Sequence, residues 1–181
     1  FISSPGKTYS YKSGNTQLLG VILERAVGES VSSFAGHVLW SKIGARKNAS
    51  WTLDYNGGLE KTFCCFNSNA RDFSKIGLLM LNRGFIFGKN VVSEKYIDWL
   101  LLKPKLIDGD VSSGGLVNYY SNSWWTAVVL GESVFYARGF NGQYIVVVPG
   151  LDLVFVRLGM REDEGSSLDN DYMLTNNLKL F

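Results

Sequence analysis

A chain of 181 residues that is 46% apolar and 14% aromatic can bury a core of its own, and its length fits one or two domains. A net charge of +2 with both signs interspersed leaves no concentrated basic face, which excludes nucleic acid as the expected partner. The longest apolar runs, 144–148 and 151–155 with its single Asp152, fall far short of the roughly 18 residues that a membrane span needs.

The chain opens on a Pro5-Gly6 turn, after which Tyr9 and Tyr11 alternate as in an extended segment. Leu18, Leu19, Ile22, Leu23, Ala26 and Val27 then recur at helical spacing. This predicts a helix over 14–26, capped by Ser13 or Asn15 and stopped by Gly28 in the left-handed conformation. Tyr11 therefore stands just before a helix start. Unpaired N–H groups and the positive end of the helix dipole favour an anionic oxygen there, so a tyrosine in that place can work as a general base. The other reading is an aromatic plug over the first helical turn.

A second helix is expected over 31–41, ending at the bend Ile43-Gly44-Ala45. His37, the only histidine, falls among its solvent-facing positions, and a single imidazole excludes a histidine-based triad. Residues 51–59 read as an irregular or extended link with a turn at Asn56-Gly57-Gly58. Cys64 and Cys65 are adjacent, so they cannot close an ordinary loop, and without histidine neighbours they make no metal site; they read as small buried hydrophobes. A third helix starts at Ser68 or Asn69 and runs to Asn82, with Phe73, Ile76, Gly77, Leu79, Met80 and Leu81 on its apolar side. A fourth covers 93–102 and is stopped by Pro104.

After a polar loop over 108–118 the period becomes that of strands, expected at 124–130, 133–138, 143–148 and 153–158. Gly131-Glu132 has the Gly-x form of a tight hairpin turn, and Pro149-Gly150 turns the chain before the last strand. Continuous Val, Ile, Leu and Phe content says that the sheet is covered on both faces. Residues 168–180 read as a closing helix. The fold class is α+β: a helical region over 1–118, then an antiparallel sheet with a packed C-terminal helix over 119–181.

A second stretch, Tyr136-Ala137-Arg138-Gly139-Phe140-Asn141-Gly142-Gln143, places two glycines three apart at a strand end. They allow close approach to the backbone, or they mark a kinked strand with no catalytic part.

The first stretch resembles the tyrosine motif of serine hydrolases related to class C β-lactamases and penicillin-binding proteins, in which Pro-Gly is followed by Tyr-x-Asn or Tyr-x-Ser and then Leu-Leu-Gly. Pro5, Gly6, Tyr11, Ser13, Leu18, Leu19 and Gly20 match it. Serine at position 13 is more similar to aminohexanoate-dimer hydrolases and related esterases than to true β-lactamases. Glu24, Arg25 and Gly28, then Leu39, Trp40, Ile43, Gly44 and Ala45, follow the family's cadence. So do Gly58, Leu59, Arg71, Asp72, Phe73, Ile76, Gly77, Leu81, Asn82 and Gly84, of which Arg71 and Asp72 read as bracing a helix.

The resemblance implies Tyr11 as a catalytic proton carrier and Ser13 as its hydrogen-bonding neighbour. It aligns Ala137, Arg138 and Gly139 with the Lys-Thr-Gly triplet on the strand that edges the active site, and it makes the N–H of Phe140 an oxyanion donor. Ala137 departs from the family's cation, which points to a different substrate. The nucleophile would come from a Ser-x-x-Lys motif upstream of this chain. The one local match, Ser4-Pro5-Gly6-Lys7, is rejected because Pro-Gly cannot carry both side chains on one helix face.

The resemblance thus implies the C-terminal part of one larger catalytic domain that cleaves a small ester or amide through an acyl-enzyme. It needs no metal or cofactor and is inactive alone; the sequence leaves the compartment open, and the resemblance is compatible with the periplasm or cell envelope. Two alternatives remain: a penicillin-binding-like module that binds ligand or cell-wall peptide without catalysis, and a recognition patch made of Tyr119, Tyr120, Trp124 and Trp125.

Overall fold

The computed structural model describes residue 4 and residues 10–101, 112–113, 116–117 and 119–159. Helix α1 (Ser13–Val27) is preceded by Lys12 in an extended conformation at the N-cap, and no side chain caps it. Neither Ser13 nor Asn15 takes the expected capping role, because both already have helical geometry, whereas a cap must stand on the residue before the helix. Gly28 ends α1 as expected, at φ 76° with its N–H on Glu24 O.

Helix α2 (Val31–Ala35) is capped by Ser30, whose hydroxyl accepts from Ser33 N, and it runs on as a π turn at Gly36–Trp40. The helix expected over 31–41 is thus interrupted by one inserted residue, a slip that apolar spacing does not reveal. His37 sits in this turn at the surface with its Nε2 2.8 Å from Glu29 Oε1. The bend at Gly44, φ 70°, follows the fully buried Ile43.

At the start of the segment expected to be irregular or extended, β1 (Ser50–Trp51) pairs antiparallel with β2 (Phe66–Asn67) and brackets a loop. In that loop Cys64 and Cys65 are joined in a disulfide across a Cα–Cα distance of 3.8 Å. Cys64 is half-buried and Cys65 exposed, so they are not the buried hydrophobes that the sequence suggested.

Helix α3 (Ala70–Leu81) begins where its cap predicts, with Asn69 Oδ1 accepting from Asp72 N at 2.9 Å. Asp72 is buried and accepts from Arg46 N (2.9 Å), Lys47 N (3.0 Å), Asn69 Nδ2 (2.7 Å) and Lys75 Nζ (2.8 Å). Lys75 Nζ also donates to Gly44 O. The pair therefore ties the bend after Ile43 to α3, and the Lys75 hydrogen bond, helped by the two N–H groups, holds the Asp72 carboxyl well below the usual carboxylate range. Asp72 is a brace, as its sequence context suggested. A hairpin of β3 (Phe85–Ile86) and β4 (Lys89–Asn90) leads to helix α4 (Glu94–Leu101).

The region read as a polar loop contains a short ladder of β5 (Ser112–Ser113) with β6 (Leu116–Val117). Beyond it lies an antiparallel sheet of five strands, β7 (Tyr119–Ser121), β8 (Trp124–Val129), β9 (Glu132–Gly139), β10 (Gln143–Val148) and β11 (Leu153–Arg157), in the spatial order β11-β10-β9-β8-β7. The β8–β9 turn is Leu130-Gly131, both at positive φ (52° and 87°), one residue earlier than the expected Gly131-Glu132.

Strand alternation sorts the side chains onto two faces. One carries Ala127, Val129, Val134, Tyr136, Tyr144, Val146 and Val148 as a buried cluster, with Trp125, Leu153 and Phe155 against it. On the other, Val147 with Trp124, Phe135 and Val154 packs against Met80 of α3 and Ile97 and Leu100 of α4. Gly77 permits the close approach, since a Cβ there would strike the Val154 side chain. Both faces carry buried clusters, as the apolar strands predicted, and the architecture is α+β. The closing helix expected over 168–180 and the stop at Pro104 lie outside the described residues.

Candidate active site

Tyr11 sits immediately before the N-cap of α1, and its ring, 54% exposed, leans onto the sheet. It meets Tyr120 of β7 edge-on at 5.1 Å and lies roughly parallel to Trp125 of β8 at 6.2 Å. Tyr120 and Trp125 are themselves 5.0 Å apart, and Trp125 stacks at 6.2 Å on the buried Tyr136 of β9. These rings form one contiguous aromatic cluster that runs from Tyr11 to the buried Tyr136. Burial pushes the Tyr120 hydroxyl up, and the neighbouring Tyr11 adds to this against a hydrogen bond with Ser123. Tyr120 is thus kept as a protonated neighbour.

The register of β9 decides which residues of the second motif share this face. Tyr136 pairs with Trp125 on one side and Val146 on the other. Two residues on, Arg138 returns to the same face, and its guanidinium carbon lies 6.0 Å from the centroid of the Trp125 ring. Ala137 points to the opposite face. The β8 ladder with β9 ends at the Trp125–Tyr136 pair, so the last residues of β9 run past β8 and pair with β10 alone through Arg138–Tyr144 and Gly139–Gln143. Although β9 is central in the sheet, its C-terminal end is locally an edge.

After Gly139 the chain enters a 3-10 turn, Phe140–Gly142, with Asn141 at φ 59°. Phe140 is 90% exposed. Gly142, at φ 75°, accepts at its carbonyl from Arg157 Nη1, and a Cβ on Gly142 would meet that guanidinium. Gly142 therefore has a packing reason of its own. Ser13 is exposed at the start of α1. Neither Ser13 nor Phe140 makes a ring contact or side-chain hydrogen bond among the described residues.

The structure thus joins Tyr11 and Arg138, one from each sequence motif, through Trp125. The alternative of an exposed recognition patch is not supported at Tyr120, Trp124 and Trp125, which are half-buried: Tyr120 and Trp125 lie in the ring cluster, and Trp124 packs against the cluster of Met80 and Ile97. The signal that could have found Trp125 was its pairing with Tyr136 across the hairpin, which depends on the turn position. Among the described residues, no three His, Cys, Asp or Glu side chains come together to hold a metal ion, and no helix is long and apolar enough to cross a membrane.

No protein-family model matches the chain. A 6-aminohexanoate-dimer hydrolase of Paenarthrobacter ureafaciens is 29% identical over 164 residues, 86% of this chain and 40% of that protein. A solved Bacillus anthracis structure, provisionally assigned as a 6-aminohexanoate-dimer hydrolase, superimposes on 99% of this chain and 46% of its own, with a TM-score of 0.75 and 24% identity. In sequence and in fold the chain is thus similar to proteins of the class C β-lactamase and esterase-like kind. The fold is shared more widely still: a Bacteroides dorei structure provisionally assigned as a β-lactamase covers 90% of this chain and 54% of its own, at a TM-score of 0.63 and 13% identity. The chain spans about half the length of these relatives or less. In this β-lactamase-like fold the tyrosine motif and the glycine-bearing strand are contributed by elements far apart in sequence.

Proposed function

We propose that this chain forms part of a larger serine hydrolase domain that cleaves an ester or amide bond through an acyl-enzyme. Tyr11 carries protons between the nucleophile and the leaving group, and Ser13 hydrogen-bonds within that network. A Ser-x-x-Lys segment outside this chain supplies the attacking serine and its lysine. The N–H of Phe140 stabilises the oxyanion together with the N–H of that serine, and water then releases the acyl group.

The observation that carries this reading is that Tyr11 and Arg138 both contact the Trp125 ring. It sets a phenol at a helix start and the locally unpaired end of β9 around one sheet face. Ala137 points away from that face, so the charge available to a substrate carboxylate comes from Arg138. Two of the relatives are named for hydrolysis of a 6-aminohexanoate dimer, and this chain is proposed to accept a small ester or amide.

The test is a fluorophosphonate probe applied to this chain and to a polypeptide that joins it to a Ser-x-x-Lys segment, with intact mass as the readout. One adduct on the serine of that motif, and none on this chain, supports the reading. No adduct on either makes the protein a binding module for ligand or cell-wall peptide.

A further inference from the structure

The geometry points to Cys64 and Cys65 as a thiol-exchange site through which a low-molecular-weight thiol–disulfide couple controls how the 60–67 loop grips α1. The two sulfurs are bonded to each other, which closes a small ring on the backbone between the residues. Within it Cys65 adopts φ 68°, a left-handed conformation that a non-glycine residue seldom holds without an external constraint. Cys65 is exposed, so a small thiolate can reach it, and Cys64 beside it is half-buried.

The loop's carbonyls and amides are tied down around this ring. Cys65 O accepts from Thr52 N (3.0 Å) and from Asn67 Nδ2 (2.8 Å), and Cys64 O accepts from Trp51 Nε1 (2.8 Å). Cys64 N donates to Lys61 O at 3.0 Å. The preceding residues of the loop hold the first half of α1. Thr62 Oγ1 donates to Thr16 O (3.0 Å), Thr62 N donates to Gln17 Oε1 (3.1 Å), and Gln17 Nε2 donates to Glu60 O (3.0 Å). Gly20 lets the Thr62 side chain press against the helix, since a Cβ there would overlap it. A change at the cysteine ring is therefore passed to the turn of α1 that follows Tyr11.

The chemistry is a two-step exchange. A thiolate RS⁻ attacks the Cys65 sulfur, the Sγ–Sγ bond breaks, and Cys64 leaves as a thiolate that takes a proton from solvent. A second RS⁻ attacks the R sulfur of the mixed disulfide, RSSR departs, and Cys65 takes its proton. The couple is oxidised by two electrons and the cysteines are reduced by two. Opening the ring frees Cys65 to leave the left-handed region, and the carbonyls of Cys64 and Cys65 lose their fixed aim.

The test is hydrogen exchange by mass spectrometry on the full chain, oxidised and then reduced with glutathione or dithiothreitol, with alkylation to count thiols. The expected result is that no cysteine is alkylated before reduction and both are alkylated after it. Amides over 61–67 and 16–20 should then exchange roughly tenfold faster, reversibly on reoxidation. Cys65→Gly, which tolerates the positive φ, should be insensitive to the reductant. Alkylation without reductant would overturn the proposal. So would exchange in both segments that changes by less than about twofold on reduction, or an equal response in Cys65→Gly. Each of these readouts is independent of hydrolysis, so the outcome does not depend on the proposed role of Tyr11.

Discussion

Arg138 holds its guanidinium carbon 6.0 Å from the centre of the Trp125 ring, and no carboxylate pairs with Arg138 among the described residues. An exposed cation–π contact of this kind contributes about 0.5–1 kcal/mol. Arg138→Gln should therefore lower stability by less than about 1 kcal/mol in a denaturant titration. In the complete protein, on the proposed hydrolase reading, its kcat/KM toward a carboxylate-bearing ester should fall roughly tenfold or more beyond the loss for a neutral ester, the scale of a charge-assisted hydrogen bond. An equal loss for both substrates would assign Arg138 to holding Trp125 alone.

Tyr11→Phe keeps the ring on Tyr120 and Trp125 and removes only the hydroxyl. If that hydroxyl moves the proton in the proposed hydrolase, kcat of the complete protein should fall by about 10²–10⁴, with the melting temperature little changed. A drop below about tenfold would return Tyr11 to the role of a packing residue.

Gly77 faces Val154 and Ile145 across the α3–sheet contact. Gly77→Ala should destabilise the chain by about 1–3 kcal/mol despite alanine's better helix propensity, because a methyl group enters a filled interface. A stabilised variant in chemical denaturation would show that α3 can slide away from β11 without cost.

Thr126 in β8 is buried, and its hydroxyl has no hydrogen-bond partner among the described residues. Thr126→Val keeps the branched shape and the strand preference while removing the desolvated oxygen, so a gain of about 1 kcal/mol is expected. A loss of stability in thermal unfolding would reveal a partner for that oxygen.

Asp72 titrates below its ordinary range in the folded chain because Lys75 and the N–H groups of Arg46 and Lys47 hold it ionised. Its contribution to stability is therefore present above the unfolded carboxyl value, about 3.9, and is lost as the pH falls toward the lower folded value. Asp72→Asn should be less stable than the parent near neutrality, and the gap in melting temperature should narrow steadily on acidification. A gap that stays constant with pH would mean that the loss is one of shape and not of charge.

Much of the architecture was legible because it rests on contacts between near neighbours. Asn69 with Asp72, and the apolar spacing from Phe73 to Leu81, mark α3 within a residue or so, since a cap and an apolar stripe act within a few residues of each other. Gly28 marks the end of α1 for the same reason: its left-handed φ is a local property. The apolar strands of the sheet and its two covered faces follow from composition alone. Tyr11 was singled out by its place before a helix, together with a family resemblance.

Four features were decided only by the folded chain. The π turn at Gly36–Trp40 inserts a residue without changing the apolar pattern. The hairpin closes at Leu130-Gly131 with a leucine at positive φ, which no turn preference favours; packing on both faces of β8 and β9 sets that register. The bond between Cys64 and Cys65 depends on backbone angles that spacing alone does not specify. The shared contact of Tyr11 and Arg138 with Trp125 needs α1, β8 and β9 in place at once. Local propensity acts over one or two turns of chain, whereas a site made of distant residues exists only after burial of the sheet has chosen one register and one face.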